Sequence, residues 1–343
     1  MPTGSYERYG LTGNPFRELA SENLDDVTIY HVNQEADIAL RTIREEVFDK
    51  ENRAVVAITG TQGAGKTERL LVAQAEARER HAFSVYFDVT TKTPWVVRGL
   101  AEAFQTTARA AGQVKMLGSP AWLRPIVALT RAKEGQYDPK EVGTRIGAAL
   151  NATSPSVLLL NDVHNLVEMQ EVDAFVKVLE EITDVIKPGV LVLFTCYGSY
   201  LAWLTVNHPA FASRINRAFA LAGFSDDEAR LVLAKKLLAK RIVEDLEPTY
   251  PFDREAVREL NRASRGNPRR LLELADVALE QGVATRAYQI DGELVRSTLA
   301  RRAGVVVGGE PIAKDAGAPS RDAVERPAVP TPPERQPLWG RKK

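Results

Sequence analysis

The sequence has little that would place it outside a reducing, aqueous compartment. It contains a single cysteine, Cys196, so no disulfide can form within the chain. Its amino terminus, MPTGSYERYG, lacks the apolar stretch of a signal peptide. Its apolar runs, such as Val190–Phe194, are too short to cross a bilayer. We therefore expect a cytoplasmic protein with no membrane partner.

An excess of charge of either sign is also lacking. Lysine plus arginine and aspartate plus glutamate number 45 each, so no global field draws the chain to nucleic acid or anionic lipid. Any basic surface must be local. The four histidines are not spaced as metal ligands usually are; they are His31, His81, His164 and His208. The length of 343 residues suits one large domain and a smaller one.

Short apolar runs alternate with stretches of helical periodicity up to about residue 223. The predicted strands are residues 54–59, 83–90, 157–160 and 190–195, with a fifth around Phe219–Ala222. The predicted helices between them are residues 67–80, 94–111, 120–134, 139–151 and 172–186. Strands that alternate with helices predict an α/β fold with a doubly wound parallel sheet.

Beyond Gly223 the sequence predicts helices only. Ser225 and Glu228 form a capping box, and helices are expected at 226–241, 253–263, 268–281 and 291–303. The end of the chain is rich in proline and poor in large apolar residues. We therefore predict three parts: an N-terminal segment with an α/β core (1–223), a small helical domain (224–303), and a disordered tail (304–343).

The clearest motif is GTQGAGKT, which fits the phosphate-loop pattern G-x-x-x-x-G-K-[ST] between a predicted strand and a predicted helix. Glycines let successive backbone amides converge on phosphate oxygens, and the helix N-terminus adds partial positive charge. Lys66 is expected to bridge the β- and γ-phosphates of ATP, and the Thr67 hydroxyl to ligate Mg²⁺. The predicted nucleotide-binding residues are Gly60, Thr61, Gln62, Gly63, Ala64, Gly65, Lys66, Thr67 and Glu68.

A second acidic site is expected where the strand VLLL ends at Asn161-Asp162. In one interpretation Asn161 takes the magnesium position and Asp162 activates the attacking water. In the other, Asp162 serves the metal itself. Both interpretations predict slow hydrolysis, since the usual pair at this place is two carboxylates. Thr195 ends the next strand, where it could orient the water, whereas Cys196 beside it is expected to be a buried apolar group.

The phosphate loop, the second acidic strand and the helical domain together resemble the AAA+ ATPases. Tyr9-Gly10-Leu11 and Asn14-Pro15-Phe16 are similar to the opening of the general-secretion ATPase (ExeA) group. TnsC-type transposition regulators and origin-binding initiators are related in the core. Arg265–Arg270 resembles the "G-N-P-R" start of the sensor-2 helix in this group, and HPAFASRINRAF resembles the region that holds its arginine finger.

The resemblance implies roles for five residues. Tyr30 and Val32 would lie against the adenine base. Arg269 would reach from the helical domain, or lid, to the γ-phosphate. Arg214 or Arg217 would complete the ATP site of a neighbouring subunit, which implies a homo-oligomer.

Two classes of function remain open from the sequence. The first is an ATP-dependent switch that engages duplex DNA through arginines of the lid, although interspersed acids favour a solvated surface. These arginines are Arg262, Arg265, Arg269, Arg270, Arg286, Arg296, Arg301 and Arg302. The second is a regulator of a protein complex, docked through the tail segment Pro337–Lys343 with its lone Trp339. A third option, which follows from Asn161, is a nucleotide-stabilised structural protein with little turnover.

Overall fold

The apolar runs of the sequence form strands that lie side by side in one parallel sheet. The computed structural model describes residues 4–17, 35–90, 96–112, 120–131, 137–168, 172–243 and 245–308. Within these ranges the strands are β1 (Ala54–Thr59), β2 (Phe83–Asp88), β3 (Ser156–Asn161), β4 (Val190–Cys196) and β5 (Arg217–Ala220). Their order is β2-β3-β4-β1-β5, which confirms the predicted parallel α/β architecture.

The central strands β1, β3 and β4 are buried at every position and mostly apolar, because each buries both of its faces. In β1, Val55 and Ala57 belong to the core on one side of the sheet, and Val56 and Ile58 to the core on the other. This period of two follows from the pleat of the strand. The sheet is therefore sandwiched between helices, and only the ends of its strands are open to carry chemistry.

The helices of the α/β part flank this sheet. Their bounds are α1 (Gly4–Glu7), α2 (Glu35–Phe48), α3 (Lys66–Glu79), α4 (Val96–Ala110), α5 (Leu123–Leu129), α6 (Pro139–Ala152), α7 (Val172–Val185), α8 (Gly198–Asn207) and α9 (Pro209–Ala212), with a 3₁₀ turn at Val163–Glu168. The sequence did not predict α1, α2, α8 and α9. Leu40 and Val47 of α2 are buried against β1 and α3.

The segment after Gly223 is helical, as predicted. It contains α10 (Asp226–Leu238), α11 (Arg254–Ser264), α12 (Pro268–Thr285) and α13 (Gly292–Gly308). The capping box is confirmed: the Glu228 backbone amide donates to Ser225 Oγ at 3.3 Å, and the Ser225 amide donates to Glu228 Oε2 at 2.7 Å. Asn267 caps α12 through the Arg270 amide, and Pro268 follows at the first helical position.

The N-terminal clasp, which we define as residues 6–17, packs on this helical segment. Asn14 Nδ2 donates to Asp276 Oδ1 at 2.7 Å and to Glu280 Oε1 at 2.9 Å. Tyr6 Oη and Arg17 Nη2 also donate to Glu280, at 2.5 and 2.8 Å. Burial alone raises the pKa of Glu280, but these three donors hold it below its ordinary value. Residues 6–17, which the sequence analysis grouped with the α/β core, are thus held by hydrogen bonds to α12 of the helical segment.

Phe16 is the apolar anchor of the N-terminal clasp. Its ring is fully buried and meets Phe252 edge to face, with the ring centroids 5.9 Å apart. Replacing Phe16 by alanine is expected to destabilise the protein by about 3–5 kcal/mol, because it leaves a cavity in this packing. Chemical denaturation measures the loss. Ile38→Ala, at a side chain that is 60% exposed, is the control and should change the stability little.

Residues Met1–Thr298 belong to one compact unit, and Leu299–Lys343 to a second. The first unit contains both the sheet and most of the helical segment, so the boundary predicted near residue 223 stays a prediction. The tail from residue 309 lies outside the described residues. In the part of the chain that the structure describes, no helix has the length and apolarity to cross a membrane.

Candidate nucleotide site

The loop between β1 and α3 has the backbone of an anion cradle. Gly63 and Gly65 have φ values of +78° and +87°, in the left-handed region that favours glycine. A Cβ on Gly63 would lie 2.8 Å from Arg269 Cβ, so no larger residue fits between the loop and α12. Gly65 caps α3 without a side-chain hydrogen bond. The first amides of α3 are therefore left to bind an anion.

Lys66 lies folded over this loop. Its Nζ donates to the carbonyl oxygens of Gly60 at 3.0 Å and Thr61 at 3.1 Å, and lies 4.8 Å from the centroid of the Tyr197 ring. Burial lowers the pKa of Lys66, and the nearby Asp162 opposes that shift. The ammonium group is thus held in a partly desolvated place beside the cradle, where its attraction for phosphate is strong.

Asn161 joins the loop to the ends of the neighbouring strands. Its Oδ1 accepts from the Thr67 hydroxyl at 3.1 Å and from the Thr195 hydroxyl at 2.9 Å. Its Nδ2 donates to Asp88 Oδ1 at 3.0 Å and approaches Asp162 Oδ2 at 3.5 Å. Carboxylates only accept, so the two acids and the two hydroxyls together fix the orientation of this amide. The Asn161 side chain therefore links the Thr67 and Thr195 hydroxyls to the Asp88 carboxylate.

Asp162 follows β3 in a left-handed conformation, with φ at +53°. Its backbone amide donates to Thr195 Oγ1 at 2.8 Å, which holds the turn against β4. Burial raises the pKa of Asp162, Lys66 lowers it, and Asp88 raises it again. The fully buried Thr195 therefore positions Asn161 and Asp162 directly, whereas its expected role as a water sensor stays a prediction.

Asp88 is the member of this site that sequence reasoning missed. It ends β2 and pairs with Asn161 in the parallel register of β2 and β3. A signal was present, since the run FSVYF turns polar at Asp88 just as VLLL does at Asn161. Because the carboxyl ends of parallel strands meet at one edge, the two positions are neighbours. Asp88 is exposed, so its carboxylate has room for a further ligand.

The helical segment reaches the same loop through the start of α12. Asn267 Nδ2 donates to the carbonyl oxygen of Gln62 at 2.8 Å, and the Arg269 amide contacts that of Gly63 at 3.4 Å. The Arg269 charge lowers the pKa values of both Lys66 and Asp162, although burial is the larger influence on each. The structure therefore places Arg269 beside the phosphate loop, while its role as the sensor-2 arginine stays a prediction.

The arginine-finger candidates lie away from the loop of their own chain. Arg214 pairs with Asp184, with Nε and Oδ1 2.5 Å apart, and with Glu180 at 3.4 Å. Arg217 is exposed at the first residue of β5, the opposite end of that strand from the phosphate loop. Neither placement tests a role in a neighbouring subunit. Tyr30 and Val32 lie outside the described residues, so their assignment to an adenine pocket stays a prediction.

Two other expectations concern single groups. Burial raises the pKa of the Cys196 thiol to about 12, so this residue is a buried apolar group, as expected. Among the described residues, no three His, Cys, Asp or Glu side chains are grouped to hold a metal ion. A magnesium ion that keeps most of its ligands as water and phosphate oxygens needs no such group.

The residues present fit a magnesium nucleotide. Glycines at Gly63 and Gly65 leave the cradle clear, and Lys66 supplies the ammonium group for phosphate oxygens. Hard oxygen donors suited to Mg²⁺ converge beside it from the Thr67 hydroxyl, the Asn161 amide and the Asp162 carboxylate. Compared with two adjacent carboxylates, Asn161 and Asp162 carry one negative charge fewer, and the Asp88 carboxylate lies 3.0 Å from the Asn161 amide nitrogen.

Comparison with known proteins reveals the relationship at the level of the fold. No protein-family profile and no curated protein matches the chain. Origin-recognition proteins are among the solved structures that are similar to it. The ORC1 protein of Aeropyrum pernix in complex with DNA is 16% identical, with a TM-score of 0.52, over 83% of this chain and 68% of that one.

The ORC2 protein of Aeropyrum pernix, solved as ADPNP–ADP complexes, is 15% identical, with a TM-score of 0.52, over 80% of this chain and 70% of that one. Drosophila ORC bound to DNA is 14% identical, with a TM-score of 0.50, over 84% and 70%. At such identities the likeness shows the fold alone. The chain has the fold of these origin-recognition proteins, in agreement with the fold that the resemblance of its motifs implies.

Proposed function

We propose that this chain is an ATP-dependent switch that binds Mg-ATP at the phosphate loop and hydrolyses it slowly to ADP and phosphate. The observation that supports this most directly is that several strand ends and one helix start lie together around the phosphate loop. The end of β3 and the start of α12 contact residues 60–67, which follow β1 directly, and the ends of β2 and β4 join them through Asn161. One edge of the sheet thus offers amides, an ammonium group, hydroxyls, carboxylates and an arginine from the helical segment.

Each residue has a task that its position supports. Lys66 exchanges its contacts with the loop carbonyls for contacts with phosphate oxygens. Thr67 and Asn161 would hold Mg²⁺, and the ion when bound would supply positive charge beside the phosphates. Asp162 orients the attacking water and accepts its proton, a task suited to a carboxyl group whose pKa is raised by burial. Arg269 links the state of the nucleotide to the position of α12.

Asp88 supplies the negative charge that position 161 lacks. The distance of 3.0 Å from its Oδ1 to Asn161 Nδ2 places it in the second layer around the Thr67 hydroxyl. Hydrolysis is then slowed rather than abolished by the amide at position 161. Self-association would complete the site, since neither Arg214 nor Arg217 reaches the loop of its own chain.

Duplex DNA is the client that we propose first. The ORC1 and ORC structures that share this fold are complexes with DNA, and the lid carries exposed arginines such as Arg270. One observation favours the alternative of a protein client. Arg296 pairs with both Glu255 and Glu259, and Arg262 pairs with Glu259, so part of the basic surface is neutralised within the lid.

Calorimetry and mobility shift together test the proposal. Titration with a non-hydrolysable ATP analogue should show binding that requires magnesium. In the presence of the analogue, duplex DNA should shift at micromolar protein and low salt, and added salt should weaken the complex steeply. Negative-stain images with and without DNA would report the assembly. Binding of the analogue with unchanged DNA mobility would retain the ATP switch and favour the protein client. No binding by folded protein would contradict the whole proposal.

A further inference from the structure

Glu68 is a buried carboxyl group at the start of α3 that the phosphate chemistry does not use. The residue is only 9% exposed. Its Oε1 has no hydrogen-bond partner among the described residues, although it is shielded from solvent. A buried carboxyl oxygen without a donor is costly, so such an oxygen points to a ligand that would satisfy it.

The charges around Glu68 come from three helices. Arg69 lies 3.8 Å from its Oε2, but that guanidinium is engaged in two hydrogen bonds with Asp37 of α2, at 3.1 and 3.2 Å. Lys235 and Lys236 of α10 face the carboxyl group from the lid and favour its charged form weakly. Burial is the largest influence and raises the pKa of Glu68 to about 7. Arg69 and the two lysines offset part of this shift and Asp37 adds to it, but none of these groups gives Oε1 a hydrogen bond.

The direction in which Glu68 faces separates it from the phosphate end of the site. Thr67 points to Asn161 on β3, which marks the side of the terminal phosphate and magnesium. Successive residues of an α-helix are turned by about 100° around its axis, so Glu68 faces elsewhere. The charged neighbours that α2 and α10 supply, Asp37, Lys235 and Lys236, are not part of the cluster around Asn161. In the proposed site, a nucleotide with its terminal phosphate at Lys66 and Thr67 would leave Glu68 on the side of its nucleoside.

We propose that Glu68 recognises the nucleoside half of the bound nucleotide, with Oε1 accepting a hydrogen bond from a ribose hydroxyl or from the amino group of the base. The inference rests on the proposed nucleotide site and deepens it, because it gives the site a specificity that phosphate contacts alone cannot provide. A buried acceptor discriminates strongly, since an analogue without the donor leaves it unsatisfied.

The experiment is a set of calorimetric titrations of the full chain with ADP, 2′-deoxy-ADP, 3′-deoxy-ADP and inosine diphosphate. We expect the wild-type protein to bind ADP about tenfold more tightly than at least one of these analogues. The analogue that binds weakly identifies the group that Oε1 accepts from. Glu68→Ala should bind all four nucleotides within about twofold, and Glu68→Gln, which keeps an acceptor oxygen, should retain part of the discrimination. Glu79→Gln, an exposed acid on the same helix, is the matched control.

The outcomes separate the two proposals. Failure of the folded wild-type protein to bind ADP contradicts the nucleotide site itself. Normal ADP binding with equal affinity for all four nucleotides overturns the role of Glu68 alone, as does discrimination that survives in Glu68→Ala. Thermal melts identify a variant that does not fold, in which case Glu68→Gln decides the matter by the change in its affinity ratios.

Discussion

Lys66→Ala is expected to weaken the binding of ATP and ADP by about 100-fold. The Nζ group lies against the loop carbonyls of Gly60 and Thr61, so it is already in place when phosphate arrives. A charged donor held in a partly desolvated site contributes far more than one in water. Isothermal titration at fixed magnesium measures the loss for both nucleotides.

The control for this variant is Lys177→Ala. Lys177 is exposed on α7 and its replacement removes the same charge without touching the loop. Its affinity for nucleotide should equal that of the wild type. Since the contacts of Lys66 with two backbone carbonyls are modest, Lys66→Ala should keep its circular dichroism spectrum and melt cooperatively. Unchanged nucleotide affinity in a folded Lys66→Ala protein would remove the basis of the proposed function.

The sequence carried the parts of the fold that depend on local pattern. Runs such as AVVAIT at 54–59 predict buried strands because both faces must be apolar, and their alternation with helices predicts a parallel sheet. The strand order was not predicted and comes from the structure. The motif fixes glycine at position 65, where the structure has a positive φ, but Gly63 lies at a variable position of the motif, so its positive φ was not predicted. The capping box at Ser225 was predictable from its local motif.

What the sequence could not predict depends on residues far apart in the chain. Asp88 and Asn161 are 73 residues apart, and only the register of β2 with β3 brings them together. The clasp of Asn14 and Phe16 on the helical segment joins residues more than 200 positions apart. The sequence could therefore show the family resemblance of Asn-Pro-Phe but not its physical role, which depends on contacts with Asp276 and Phe252.

Asp162→Asn is expected to lower the rate of ATP hydrolysis by about 100-fold while leaving ADP affinity nearly unchanged. A positioned general base typically contributes a factor of at least this size, and an amide cannot accept the proton of water. The hydrogen bond from the Asp162 backbone to Thr195 does not depend on the side chain, so the turn should persist. Phosphate release in single-turnover experiments measures the rate. A wild-type rate in Asp162→Asn would assign the base elsewhere.

Exchanging the acid at position 88 with the amide at position 161 tests which of the two positions supplies the negative charge near the metal. Asp88→Asn alone should slow hydrolysis by about tenfold and weaken the magnesium dependence of ADP binding, because it removes a carboxylate from the second layer of the site. Adding Asn161→Asp to that variant returns the charge, with the hydrogen bond between the two positions reversed, so both properties should recover. Asn161→Asp alone places two carboxylates at hydrogen-bond distance, where their repulsion raises the pKa of one of them. The hydrolysis rate of Asn161→Asp alone should therefore rise less than that of the double variant. If Asn161→Asp alone gave the full rise and Asp88→Asn had no effect, position 88 would contribute nothing to the metal site.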